Sequence, residues 1–462
     1  MRMARWVALG IALLALTAND NARRLPIAQA WAQTATVAPQ PVPGGFDFPT
    51  DAVTINGWVA DANVTAMRDH AWKLWGGMTA KSGQVADGTD LPIWETWYGT
   101  EDLFPQPSLT AAALPAAALL RPHPRALHVF EQPLQFRHNR RLSPMAAAAA
   151  AGTNVVSFNK FDPEAATFIV SPQQGPGGAT FHYNQGASLK NLNGAWPTGT
   201  SGQNRAINEF PIRAIETKPV FRLVKATGLT PQPLWQGAAA STNRRNPIPE
   251  TWKTCVLIDP AGTGPIRPAT PAEIAAKVNV ASACTTFLYG PLSLFYSFKM
   301  TAAEADSFNN GQPGNGGAAA GDFAVLVAMH VNTKEIPFWT WQTFYWQPGG
   351  DTPNGVPGSK VQQPATLPAP WNNYAMCTNY NQTVKPGSAT MDVCFNPYLE
   401  TSSTIPAGIT SNCMSCHGTA RFGDNGDYPP AYTAPIDFFG DTTYFNTHTI
   451  HTDFSWAVPF AP

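Results

Sequence analysis

The chain has 462 residues, enough for a large core in one or two domains. Its 29 Lys and Arg against 30 Asp and Glu leave it almost neutral, which argues against nucleic acid or an anionic membrane surface as a partner and leaves no strong field to steer a redox partner. Charged residues make up only 13%, whereas Pro (44), Gly (37) and Trp (15) are abundant, a mix that excludes a helical bundle and fits a rigid, loop-rich body of strands and aromatic clusters.

In chain order, Arg2 and Arg5 precede an uncharged apolar run over residues 6–18, and charge returns at Asp20, Arg23 and Arg24. The run is too short to span a bilayer and has the form of a secretory signal. Small residues permit cleavage after Ala18, Ala30 or Ala32, of which Ala32 is favoured; an uncleaved N-terminal anchor is the alternative. With no other long apolar stretch, no stable membrane span is expected after signal removal. A Pro-rich leader follows over 35–49. Asp61 or Asn63 is placed to cap a helix running through Met67, Arg68, His70, Trp72, Leu74 and Trp75, and the aromatic segment 91–104 should pack on it. The alanine-rich stretches 111–120 and 145–151 read as short helices or low-complexity loops.

The middle of the chain is strand-like. Residues 153–158, 167–170, 214–224, 254–258 and 285–289 are short β-branched or aromatic runs bounded by Pro, Gly and Asn. A Gly/Ala/Asn loop over 311–321 leads into 323–331 and then 336–346. In the latter, Trp339, Trp341 and Thr343 fall on one face, and Phe338, Thr340, Gln342 and Phe344 on the other. Both faces are largely apolar, which implies a central strand.

Near the C-terminus stands Cys413-Met414-Ser415-Cys416-His417, the C-x-x-C-H pattern of covalent haem c attachment. Two intervening residues let both thiols reach the two vinyl groups on one edge of a porphyrin, and the adjacent His supplies the proximal nitrogen. A redox dithiol or half a zinc site would not need that His. One covalent haem c is therefore expected, with Cys413 and Cys416 as anchors and His417 on the iron. Such haem is attached outside the bacterial cytoplasmic membrane, which agrees with the secretory N-terminus. Of the six cysteines four remain, Cys255, Cys284, Cys377 and Cys394. An even remainder in an oxidising compartment points to two disulfides; sequence neighbours favour 255–284 and 377–394 among three possible pairings.

A short tail without methionine follows His417, so the segment cannot be a free-standing small cytochrome with a downstream Met ligand, and the large body must cover part of the haem. The expected fold is α+β, with a mainly β-rich, loop-rich body onto which a C-terminal cytochrome-c-like attachment segment packs. The divisions are 1–32 (signal), 33–405 (body) and 406–462 (attachment). The distal ligand is open between His448 or His451, the upstream Met376, Met391, His330 or His70, and no protein ligand. His448 and His451 with Asp441 or Asp453 also form a weak metal-site pattern. Lys218 is a candidate for a haem propionate, for a strand-end position, or for an ion pair with Glu216; Arg421 is a closer propionate candidate. Trp339, Trp341, Trp346 and Trp371 are candidates to line a haem pocket or to be plain core.

Several stretches together resemble a group of large bacterial exported proteins with a single C-terminal haem c. They are Ile93-Trp94-Glu95-Thr96, Phe210-Pro211 leading to Lys218, Trp339-Thr340-Trp341-Gln342-Thr343-Phe344, Leu399-Glu400-Thr401 and the motif from Ser411 onward. The chain departs from that pattern after Phe344, where Tyr345 and Trp346 replace an acidic residue and a His. The resemblance implies haem c and export, and no substrate. Three functions remain: a periplasmic or secreted monohaem cytochrome passing single electrons to a partner protein or small molecule; a haem c oxidoreductase whose open iron takes peroxide, oxygen or a small substrate; and, third in order, a binding module in which the haem is structural or senses redox state. No nucleotide-binding or standard hydrolase motif is present.

Overall fold

The computed structural model describes residues 36–104, 125–131, 154–279, 282–312, 317–351, 357–384, 389–402, 405, 408–423, 434–437, 445 and 447–457. The expected signal segment, both alanine-rich stretches and Asp441 lie outside these. The protein is a mixed α+β structure with many sheets and few helices. No helix among the described residues is long and apolar enough to cross a membrane.

Helices α1 (Ala52–Ala60) and α2 (Val64–Thr79) open the body. Asn63 caps α2 by accepting from Ala66 N at 3.0 Å, and Met67, Ala71, Trp72, Leu74, Trp75 and Met78 bury the inner side. The leader is tied down, since Trp97 Nε1 donates to Gln40 O at 2.7 Å and Val37 and Val42 are buried. Strands β1 (Lys81–Ala86) and β2 (Thr89–Pro92) pair as a hairpin. Next come β3 (Tyr98–Gly99), β4 (Val156–Ser157), β5 (Lys160–Phe161), the β6 (Pro172–Gln174) and β7 (Thr180–His182) pair, and the long β8 (Ile215–Val224).

Strands β9 (Thr230–Pro233), β10 (Thr254–Asp259), β11 (Arg267–Pro268) and β12 (Thr286–Pro291) form a four-stranded sheet, fastened by the Cys255–Cys284 disulfide. The organising element is an eight-stranded sheet. Its path runs β16 (Tyr374–Tyr380), β15 (Thr340–Trp346), β14 (Phe323–Thr333), β8, β5, β3, with β13 (Ser297–Lys299) on β14 and β4 on β8. A last pair, β17 (Arg421–Gly423) with β18 (Thr449–His451), follows the C-x-x-C-H turn.

Strand alternation gives the large sheet two different faces. Phe344 and Met376, opposite each other, stand on the face beneath α2, where Trp75 stacks on Phe344 at 4.0 Å between ring centres. The other face carries, in register, Glu216 and Lys218 of β8, Asn332 and His330 of β14, Trp341 and Thr343 of β15, and Asn379 and Cys377 of β16. This polar face receives the C-terminal segment.

Two elements differ from the sequence reading. Residues 167–170 end a helix, Pro163–Val170, instead of forming a strand. Asp162 caps it, accepting from Ala165 N at 2.9 Å, Pro163 occupies the first turn, and buried Phe168, Ile169 and Val170 override β-propensity. The central strand begins at Thr340, because Trp339 turns at φ 58° and donates its N–H to Ile336 O at 2.9 Å. Trp339 therefore precedes the strand face assigned to it.

Trp75 spans α2 and the sheet and is fully buried. Trp75→Ala should cost about 3–5 kcal/mol, read as a lowered urea midpoint at unchanged slope.

Candidate functional site

Cys413 precedes a single helical turn, Met414–His417. The turn closes through His417 N to Cys413 O (3.0 Å) and Ser415 N to Asn412 Oδ1 (3.3 Å). A spacing of three on this turn puts both thiols on one side. Neither is in a disulfide, whereas Cys377 is bonded to Cys394, tying β16 to the chain that leads into the turn. Residues 411–420 are buried except for Cys413, Cys416 and His417. Those three are half-buried. Burial raises both thiols, Cys416 to about 12.

His417 has a defined orientation. Its Nδ1 lies 2.8 Å from Phe454 O, and since a carbonyl only accepts, Nδ1 carries the proton and Nε2 the lone pair. Burial pushes its pKa down to about 3, with the nearby Lys218 ammonium acting the same way against the Phe454 carbonyl, so the ring is neutral. Trp341 packs against the ring at 4.3 Å.

The segment behind His417 holds that carbonyl in place. Asp453 and Phe454 both have positive φ, 49° and 67°, a strained choice for a bulky residue that aims Phe454 O at the imidazole. Lys334 Nζ binds Asp453 Oδ1 at 2.6 Å, and Asp453 Oδ2 accepts from Phe210 N at 2.8 Å. Ser455 Oγ meets both oxygens of Glu216 at 2.9 and 3.0 Å. Trp456 Nε1 donates to Cys416 O at 3.1 Å.

Facing the turn, the sheet supplies a second group. Lys218 lies directly opposite His330, and His330 directly opposite Thr343. His330 Nε2 is 2.9 Å from Glu400 Oε1; Glu400 Oε2 accepts from Asn396 N at 2.5 Å, and Asn396 Nδ2 donates to Thr343 Oγ1 at 2.7 Å. Lys218, His330 and Glu400 are half-buried, amid strands that are almost wholly buried. Burial lowers Lys218 to about 8 against the pull of Glu400 and Glu131. Glu400 in turn raises both Cys413 and Cys416, which places the two groups within electrostatic reach.

The structure sorts the remaining candidates. His448 is exposed in the turn before β18. His451 is buried opposite Arg421; its Nδ1 accepts from Asp453 N at 3.2 Å, and its ring lies 5.0 Å from both Phe445 and Phe454. Asp453 is committed to Lys334 and Phe210 N. Among the described residues no group of three or more His, Cys, Asp or Glu is arranged to hold a metal ion. His70 is bound to Tyr380 OH (2.5 Å) and Glu335 (3.1 Å) near α2, and Met376 stands on the opposite sheet face, so neither meets the turn. Met391 is buried in the same cluster as Trp341 and Met414.

Lys218 sits mid-strand, which corrects the strand-end reading, and Glu216, its expected partner, bonds Ser455 and Asn332. Arg421 Nη1 donates to Thr419 O at 3.3 Å. Trp339 and Trp341 lie with the turn, while Trp346 and Trp371 belong to the main core. Glu400, Phe454 and Ser455 went unassigned in the sequence; only the Glu400 stretch gave any signal there.

No family model, curated protein or solved structure matches this chain. The geometry therefore stands on its own.

Burial raises Glu216 from 4.5 to about 7 and Asp453 from 3.8 to about 6. A carboxyl raised in the fold keeps a proton that the unfolded chain releases, so stability falls as pH rises through the window from about 4 to 7. Glu216→Gln should flatten that decline, seen as a smaller drop in urea midpoint between pH 5 and 8 than in the wild type.

Proposed function

We propose that this chain is an exported, periplasmic or secreted bacterial monohaem c protein whose haem carries single electrons. Cys413 and Cys416 would be the thioether anchors, and His417 Nε2 the proximal donor. The observation that carries the reading is the coincidence of chemistry and access. The three residues that haem attachment requires are the three reached by solvent in an otherwise buried turn, and the Phe454 carbonyl leaves Nε2, the nitrogen an iron would take, free of the proton. Two thiols outside disulfides on one side of a helical turn complete a donor set that fits haem c. When bound, that group would supply a one-electron iron couple and, if an axial position stays open, a place for a small ligand.

The chain's own contributions follow from the geometry. Phe454 O fixes the His417 tautomer and raises its basicity as a donor. Trp341, Met391 and Met414 share a buried apolar cluster, and beside a bound haem such surroundings would disfavour the more highly charged oxidised state. The segment 406–462 would be the cytochrome-c-like attachment part, and the two disulfides fit an oxidising compartment. The same features support the resemblance to large exported monohaem proteins.

A specific observation also favours the second reading, a haem c oxidoreductase. The Lys218–His330–Glu400 group beside the turn is polar, half-buried and more elaborate than electron transfer requires.

Wild-type protein matured in an exporting host should retain haem on a denaturing gel, and Cys413→Ala with Cys416→Ala should remove it. An unstained wild-type band would sink the proposal. An oxidised and reduced spectrum with carbon monoxide separates the two readings: indifference to the gas supports electron transfer, and ready binding supports catalysis.

A further inference from the structure

We propose that the Cys377–Cys394 disulfide is an oxidation-dependent latch for the C-x-x-C-H turn, which is fully seated on the sheet only once this bond has formed. The inference goes beyond the haem reading and does not depend on it. Cys377 stands on the polar face of β16, directly opposite Thr343 of β15. The Cα of Cys394 lies 5.7 Å from that of Cys377, a separation that a disulfide fits. Two residues on, Asn396 Nδ2 donates to Thr343 Oγ1 at 2.7 Å and to Phe344 O at 3.0 Å, so the chain at 394–396 lies across β15 and β16.

This same chain holds the base of the turn at two points. Cys394 N donates to Ser411 O at 3.0 Å, and Asn412 Nδ2 donates to Asp392 O at 2.8 Å. Asn412 is the joint. Its Oδ1 accepts from Ser415 N at 3.3 Å, and its backbone N donates to Ser415 Oγ at 3.3 Å. One side-chain amide therefore grips the disulfide-bearing chain with its nitrogen and the turn with its oxygen. The path from the sheet to the turn is one covalent bond followed by hydrogen bonds.

The covalent step carries the most weight for a physical reason. Met414–His417 is a single helical turn, and a helix so short is not stable except by docking. Fixing residue 394 to β16 removes chain freedom that the hydrogen bonds would otherwise have to overcome unaided. Both cysteines of the latch are buried, so the bond closes as the chain folds in an oxidising compartment and is then shielded. The Cys255–Cys284 disulfide fastens the four-stranded sheet instead and serves as an internal control.

The test is hydrogen exchange, read by mass spectrometry on the full-length chain made without haem. In Cys377→Ser with Cys394→Ser, residues 411–420 should exchange about tenfold or more faster than in the wild type, while α2 keeps its protection. Cys255→Ser with Cys284→Ser should leave 411–420 at the wild-type rate. Asn412→Asp keeps the acceptor for Ser415 N and loses the donor to Asp392 O. It should reproduce much of the acceleration and add little on top of the Cys377/Cys394 double variant. Unchanged exchange of 411–420 in that double variant would overturn the proposal, as would equal acceleration of 411–420 and α2, which reports general loosening. If the double variant does not fold, Asn412→Asp decides alone, and a wild-type rate there overturns the latch. A chain that never takes up haem would defeat the haem reading and leave this inference standing.

Discussion

The arrangement depends on the docking of one helical turn, Cys413 to His417, against the polar face of the central sheet. The sheet makes this possible because its alternation is unbroken across four strands from Glu216 to Asn379. A shift of one residue in β15 would send Trp341 and Thr343 to the side of α2 and bring Gln342 and Phe344 against the turn. The aromatic packing of Trp75 on Phe344 thus holds register for a site it does not touch. Core and site are two faces of one sheet.

Electrostatics at the site follow from burial more than from charge count. The chain is nearly neutral, yet titratable groups are concentrated where solvent is scarce. His417 is kept neutral and the thiols protonated, while Glu216 and Asp453 are raised by desolvation, Glu216 bonded to Ser455 of the tail and Asp453 to Lys334 and Phe210 N of the body. Elsewhere in the body, His128 bridges Glu95 and Glu304 at 2.5 Å on each side, and Tyr296 donates to Glu95. There the two carboxylates outweigh burial and raise His128 to about 9. Such networks specify a geometry, because a buried polar group pushed off its partner loses its hydrogen bond with no water to replace it.

Much of the frame was legible in the chain. A cap at Asp61 or Asn63 with the apolar periodicity after it predicted α2, whose cap is Asn63, and the β-branched run ending near Val224 predicted β8. The disulfides Cys255–Cys284 and Cys377–Cys394 join sequence neighbours because each closes a short loop between packed elements. The failures have local causes. Residues 167–170 carry strand-like side chains but follow an Asp-Pro start, and capping with burial decided for helix. One of the three readings of Lys218 paired it with Glu216, two residues away, but Glu216 is bonded to Ser455 from the far end of the chain.

What the sequence determined by itself is the local chemistry: a C-x-x-C-H spacing, an even set of other cysteines, and a composition suited to an aromatic strand-built body. These are short-range properties, set by residue identity and spacing over a few positions. Only the tertiary structure decided which groups surround the motif. Phe454 behind the imidazole, Lys218 and His330 before it, and Glu400 across them come from stretches far apart in the chain. They meet because strand register and burial of the tail bring them together. Spacing along the chain can announce a ligand; the partners that tune it are chosen by packing.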